Sequence, residues 1–145
     1  MNPELEDRLA EEFEFMRVKL SPDGVTSGYS SLEIEAEDGW YRLLYNMCKE
    51  IAKAIEPSGK TVRLVTDQIK EKYGTLRFYY HLEGVDAGKN ELNQKISDIV
   101  EKYEAMSEQI CEICGCKGML RTDLTWVQTL CDACYSKCIE TDQKK

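Results

Sequence analysis

Apolar residues recur every three or four positions in three segments and alternate with polar ones in three shorter segments, and two matched Cys-x-x-Cys turns lie near the end. These observations predict an α+β fold over residues 1–110, with three helices and a small three-stranded antiparallel sheet. A separate cysteine-rich module is expected over residues 111–145.

With 145 residues, 42% of them apolar, the chain can build one modest core. No run reaches the roughly 18 apolar residues that a membrane-spanning helix needs. The opening MNPELEDRLAEEF is acidic and lacks a basic stretch leading into an apolar one. A cytoplasmic location is therefore expected, where cysteine pairs mean metal or redox chemistry rather than disulfide staples.

The net charge of −8 is unevenly spread. Residues 1–38 hold eleven acidic and three basic side chains, which is −8 by themselves. Residues 39–110 hold eleven of each sign, and residues 111–145 hold five of each. A domain-wide basic footprint for neutralising phosphates is missing, which disfavours duplex DNA as a partner. The acidic segment could face a basic partner, although such a stretch is more often a solvated face.

Asn2-Pro3 suits a helix start, with Glu4, Glu6 and Asp7 near the positive end of the dipole. Leu5, Leu9, Phe13, Met16 and Leu20 form its apolar stripe, and Ser21-Pro22-Asp23-Gly24 supplies the stop. SSLEIEAE alternates Leu32, Ile34 and Ala36 with glutamates, as a half-buried strand does. Asp38 can cap a second helix, in which Trp40, Leu43, Leu44, Met47, Ile51 and Ile55 line one side. Cys48 lies beside that stripe and reads as a small core residue rather than a reactive thiol. TVRLVTDQIK and TLRFYYHL then form two strands joined by a turn around Lys72-Tyr73-Gly74.

Asn90 can cap a long helix in which Leu92, Ile96, Ile99, Tyr103, Met106 and Ile110 follow heptad spacing. Such a stripe can pair across a homodimer axis through residues 90–110. The alternative is that it packs on the sheet of its own chain. No linker separates it from Cys111, so the cysteine module is expected to sit rigidly at its end.

Cys111-x-x-Cys114 and Cys131-x-x-Cys134 are separated by sixteen residues, the spacing of a four-cysteine zinc site. A two-residue gap lets two thiolates wrap one face of an ion, and a second such turn completes the tetrahedron. Gly115 suits the tight turn that follows, and GMLRT and TWVQTL read as the short strands of a zinc-ribbon hairpin. The ion is expected to be Zn²⁺ in a structural role, since four thiolates leave no open position for water. Cys116 and Cys138 remain over, and either could replace a neighbour as the fourth ligand. An iron–sulfur cluster or a redox pair fits the two matched turns less well.

Catalytic patterns are weak. His81 is the single histidine and stands on the polar face of a strand without a paired nucleophile. GYSS and GVDAGK match neither nucleotide-binding fingerprint, and Asp67, Glu71 and Lys72 fit no nuclease motif. The distinctive stretch is DQIKEKYGTLRFYYH, where Lys70, Lys72, Tyr73, Arg77, Tyr79 and His81 can gather on one hairpin. Arginine beside exposed aromatics can stack bases or hold phosphate, as single-strand binders do. The alternative is an ordinary hairpin whose outer residues are half covered.

GWYRLLYNMCKEI, DQIKEKYGTLRFYY, SEQICEICGCKG and WVQTLCDAC together resemble a group of small, largely uncharacterised proteins from bacteria and their phages. The likeness runs from about Gly39 to Cys134, roughly two thirds of the chain. The resemblance implies a helix, a KEK-aromatic-Gly hairpin and a second helix leading directly into a zinc ribbon. The last ligand in that group is often histidine, where this chain has Cys134.

The expected function is a non-enzymatic binding protein, a phage-type accessory factor engaging a host protein. The alternative is a protein that sequesters a nucleotide, either a signalling nucleotide or single-stranded nucleic acid, through the hairpin of residues 70–81 during phage–host conflict.

Overall fold

The computed structural model describes residues 1–19, 28–88 and 90–143. The first helix forms as α1 (Pro3–Glu12), capped by the Asn2 side chain, which accepts the Glu4 N–H at 2.9 Å. It ends sooner than its apolar stripe predicts. Phe13 turns extended, a short 3₁₀ turn follows over Glu14–Met16, and β1 (Arg17–Lys19) begins. Arg17 secures the end by donating to the free carbonyls of Ala10 at 2.6 Å and Glu11 at 3.1 Å. Phe13 and Met16 are buried all the same, reaching the core through a change of backbone. Leu20 and the turn expected at Ser21–Gly24 lie outside the described residues.

The strand expected across SSLEIEAE is divided between two sheets. β2 (Tyr29–Ser31) pairs antiparallel with β1. β3 (Ile34–Glu35) lies parallel to β4 (Arg63–Lys72), which pairs antiparallel with β5 (Thr75–Glu83). The three-stranded sheet is therefore mixed, not antiparallel as predicted. The reason is α2 (Tyr41–Ile55), which joins β3 to β4 as a crossover helix and returns the chain in its original direction. The burial alternation survives, with Ile34 and Ala36 inside and Glu33, Glu35 and Glu37 outside.

Asp38 does not cap α2. Its carboxylate accepts the Asn2 N–H at 2.7 Å, and a 3₁₀ turn over Asp38–Trp40 precedes the helix. The α2 stripe is otherwise as predicted: Trp40, Leu43, Leu44, Met47 and Ile51 are buried, and Ile55 packs against them. Cys48 is fully buried among them, and burial pushes its thiol pKa up.

β4 and β5 meet in a two-residue turn where Tyr73 (φ 53°) and Gly74 (φ 81°) both take left-handed backbone, the geometry of a tight hairpin. α3 (Asn90–Met106) packs on α2 and β5 of its own chain. Ile96, Val100 and Tyr103 are buried there, and Met106 is the exposed member of the heptad stripe.

The C-terminal module contains β6 (Met119–Arg121), paired antiparallel with β7 (Gln128–Leu130), and then α4 (Asp132–Gln143). The described residues thus hold four helices, one more than predicted. α4 shows no aliphatic stripe because Cys134, Tyr135 and Cys138 are the residues it turns toward its small core. Among the described residues, no helix is long and apolar enough to cross a membrane.

Candidate metal centre

The local fold brings the two Cys-x-x-Cys turns together. Cys111 follows the 3₁₀ turn (Ser107–Gln109) that ends α3, while Cys131 and Cys134 stand at the start of α4. The sulfurs of Cys111, Cys114, Cys131 and Cys134 all lie within 4.8 Å of one another, and those of Cys114 and Cys131 are 3.5 Å apart. A tetrahedral ion with Zn–S near 2.3 Å requires sulfurs about 3.8 Å apart. The four thiols could therefore hold a metal ion, and their spacing is consistent with zinc.

Backbone amides shape both turns. The Gly115 N–H donates to the Cys111 carbonyl at 2.9 Å, and Gly115 sits at φ +83°, a conformation an L side chain rarely adopts. The Cys134 N–H points at Cys131 Sγ, 3.4 Å away. That contact comes first among the causes that pull the Cys131 thiol down to about 7. Burial, and then the crowding thiols of Cys131, Cys111 and Cys114, push Cys134 up. Packed this closely, four sulfurs cannot all ionise without a cation, and a cation removes that penalty.

Of the two remaining cysteines, Cys116 is exposed and offers its backbone carbonyl to the Cys111 N–H at 2.7 Å. Cys138 is half-buried, one helical turn beyond Cys134, and packs against the small core of the module. Neither belongs to the group of four sulfurs.

Residues far away in sequence position this centre. The Gly39 N–H donates to the Glu112 carbonyl at 2.7 Å, and the Trp40 indole donates to the Ile110 carbonyl at 2.9 Å. Gly39 is forced by space: a Cβ there would stand 2.3 Å and 2.4 Å from the carbonyl oxygens of Cys111 and Glu112. From the other side, Thr129 Oγ1 donates to the Gly74 carbonyl at 2.7 Å, fastening β7 to the hairpin turn. Glu112 is buried, and its carboxylate accepts the Glu37 N–H at 3.1 Å. Burial is the first cause that raises its pKa to about 7. Sequence reading missed Thr129 and Glu112, whose roles depend on partners 55 and 75 positions away. Trp40 is expected in the apolar stripe of the second helix and Gly74 in the hairpin turn, but not their contacts with Ile110 and Thr129.

The other predicted site residues divide into two groups. Lys70 and Arg77 are paired across the strands, Tyr79 stands beside them, and the Lys70 ammonium is 5.7 Å from the Tyr79 ring centre. Tyr73 projects from the turn and Lys72 pairs with Thr75. His81 is held between carboxylates, with Nδ1 2.9 Å from Asp67 and Nε2 3.1 Å from Glu83. Asp67, Glu71 and Lys72 have separate surroundings, since Glu71 accepts the Gly74 N–H at 2.7 Å.

Fold and site together define a small mixed α/β protein with a four-cysteine metal centre set against the turn of its longest hairpin. No protein-family model, curated protein or solved structure matches the chain.

Proposed function

We propose that this chain is a non-enzymatic, zinc-dependent protein-binding module, and that the face built by its ribbon and hairpin turn is the binding surface. The observation that supports this is where the large apolar side chains are exposed. Of ten such residues among those described, five lie on the ribbon or the turn it grips: Tyr73, Ile113, Met119, Leu120 and Trp126. Trp126 is 65% exposed and Tyr73 is 70% exposed. Apolar side chains gathered in one region of a surface, with charged residues around them, mark interaction sites. Leu120 joins the two parts, because its Cδ1 fills the space above Gly74. The ion would hold this face together. A phage-type accessory factor that engages a host protein is the finer form of this reading, and it rests on the sequence resemblance.

The test is affinity capture from host cells with the wild-type chain and with Leu120→Asp and Trp126→Asp, each checked for one zinc per chain. A partner held by the wild type and lost by both variants is expected. Capture that survives both substitutions would overturn the reading.

A second reading, a nucleotide or single-strand binder, draws support from the Lys70–Tyr79–Arg77 face. Arg77 Nε is buried there without a hydrogen-bond partner. Asp67 and Glu83, which engage His81, reduce the positive character of the same sheet face. Native mass spectrometry distinguishes the readings, because a bound nucleotide adds mass that Arg77→Ala should remove.

A further inference from the structure

β5 is an outer strand of its sheet, and α3 runs along its open side. Leu76, Phe78, Tyr80 and Leu82 stand opposite Glu71, Ile69, Thr66 and Leu64 in the β4–β5 ladder. Glu71 with Leu76 and Ile69 with Phe78 are non-hydrogen-bonded pairs counted from the two-residue turn. The alternation along β5 continues past the β4 bulge between Thr66 and Gln68, so all four point their N–H and C=O groups away from β4. α3 and the 3₁₀ turn that ends it satisfy the first two. The Leu76 N–H donates to Ser107 Oγ and the Phe78 N–H to the Glu104 carboxylate, both at 2.9 Å.

The series then stops. Among the described residues no partner takes the N–H of Tyr80 or Leu82. Both residues border a cleft of about 490 Å³, lined also by Phe78, Ala87 and Asn93. Asn93, in the first turn of α3, has a buried Oδ1 with no hydrogen-bond partner. Buried polar atoms are almost always paired, so an orphan beside unused backbone donors points to an absent partner. The cleft is shallow and largely open to solvent, which suits a strand laid along a sheet edge rather than an enclosed small molecule.

We propose that the Tyr80–Leu82 edge of β5 is a docking site for an extended basic peptide, which adds to the sheet as a further strand. The two donors lie about 6.7 Å apart along the strand, the repeat at which an extended chain presents its carbonyls. The peptide's own N–H groups would supply donors for the outward carbonyls of β5 and, once the Asn93 side chain rotates to expose it, for Asn93 Oδ1. Tyr80, whose ring centre lies 5.6 Å from that of the buried Phe78, offers the aromatic surface for alternate side chains. The basic character follows from charge. The Glu104 carboxylate stands at this edge, 2.9 Å from the Phe78 N–H, and Glu101 lies one helical turn before it on α3. Neither carboxylate forms an ion pair among the described residues.

The test is a ¹H–¹⁵N NMR titration of the full metal-loaded chain. The probe is a pool of N-acetylated hexapeptide amides with Lys or Arg at alternate positions and Val, Ile or Tyr between them. Downfield movement of the Tyr80 and Leu82 amide protons, with a shift of the Asn93 side-chain amide, is expected. A matched pool carrying Asp or Glu should leave these signals in place. Glu101→Gln should weaken binding roughly two- to fivefold, the range for one exposed ion pair. Asn93→Leu removes an unpaired buried oxygen, so it should fold and bind less. Silence of both amides at millimolar basic pool, or an equal response to the acidic pool, would overturn the proposal. The same would follow if adenosine reproduced the shifts, since the cleft would then belong to a planar small molecule.

Discussion

The indole N–H of Trp40 reaches the carbonyl of Ile110 at 2.9 Å, although 70 positions separate the two residues. Trp40 is fully buried, and Ile110 directly precedes the first metal-site cysteine. The bond aligns the chain just before it enters the centre. Trp40→Phe keeps most of the ring volume and leaves that carbonyl without its donor. Chemical denaturation of the metal-loaded protein should show a loss of about 1–3 kcal/mol. A loss too small to measure would mean that solvent replaces the indole.

Gly39 makes a sharper case. An added Cβ would meet backbone carbonyls at 2.3 Å and 2.4 Å, and backbone cannot swing aside as a flexible side chain does. Gly39→Ala should cost at least the roughly 3 kcal/mol seen for severe overpacking. Gly88→Ala is the control, because an added Cβ there meets nothing within 4 Å. Equal melting temperatures for the two variants would contradict this account of the junction.

Metal analysis after zinc loading should separate the cysteines into two classes. Serine at Cys111, Cys114, Cys131 or Cys134 should abolish zinc uptake and the exchange protection of β6 and β7. Serine at Cys116 or Cys138 should retain one zinc per chain, because neither sulfur belongs to the group of four. Loss of zinc in Cys138→Ser with retention in Cys134→Ser would reassign the fourth ligand.

His81 provides a clean pH observable, since it is the single histidine of the chain. The Asp67 carboxylate first, and Glu83 second, raise its pKa above the ordinary value of 6.5 by accepting from the charged ring. Its contribution to stability is complete below pH 6.5 and fades as pH rises through the folded-state value. An NMR titration should place the midpoint above 6.5, and Asp67→Asn should move it down. A midpoint unchanged by Asp67→Asn would show that the contact is not formed in solution.

Local chemistry carried much of the reading. The α2 stripe, the Cys48 environment, the hairpin of β4 and β5 and the ribbon strands are all legible, because each depends on periodicity or spacing within one segment. The four sulfurs belong here too, since two-residue gaps already dictate how thiolates can face an ion. α4 escaped because its inner residues are cysteines and a tyrosine, which form no aliphatic period.

What one segment does with another could not be read in this way. Arg17 ends α1 by binding carbonyls six and seven residues back, so the stripe outlasts the helix. The SSLEIEAE stretch alternates as a single strand would, yet it serves two sheets because α2 returns the chain parallel to β3. The sequence by itself determined the local periods and the composition of the metal site. Only the tertiary structure decided that Gly39, Trp40, Gly74 and Thr129 would meet around that site. The physical reason is that hydrogen bonds and close packing across 55 to 75 positions depend on where the backbone returns, and a linear pattern does not contain that information.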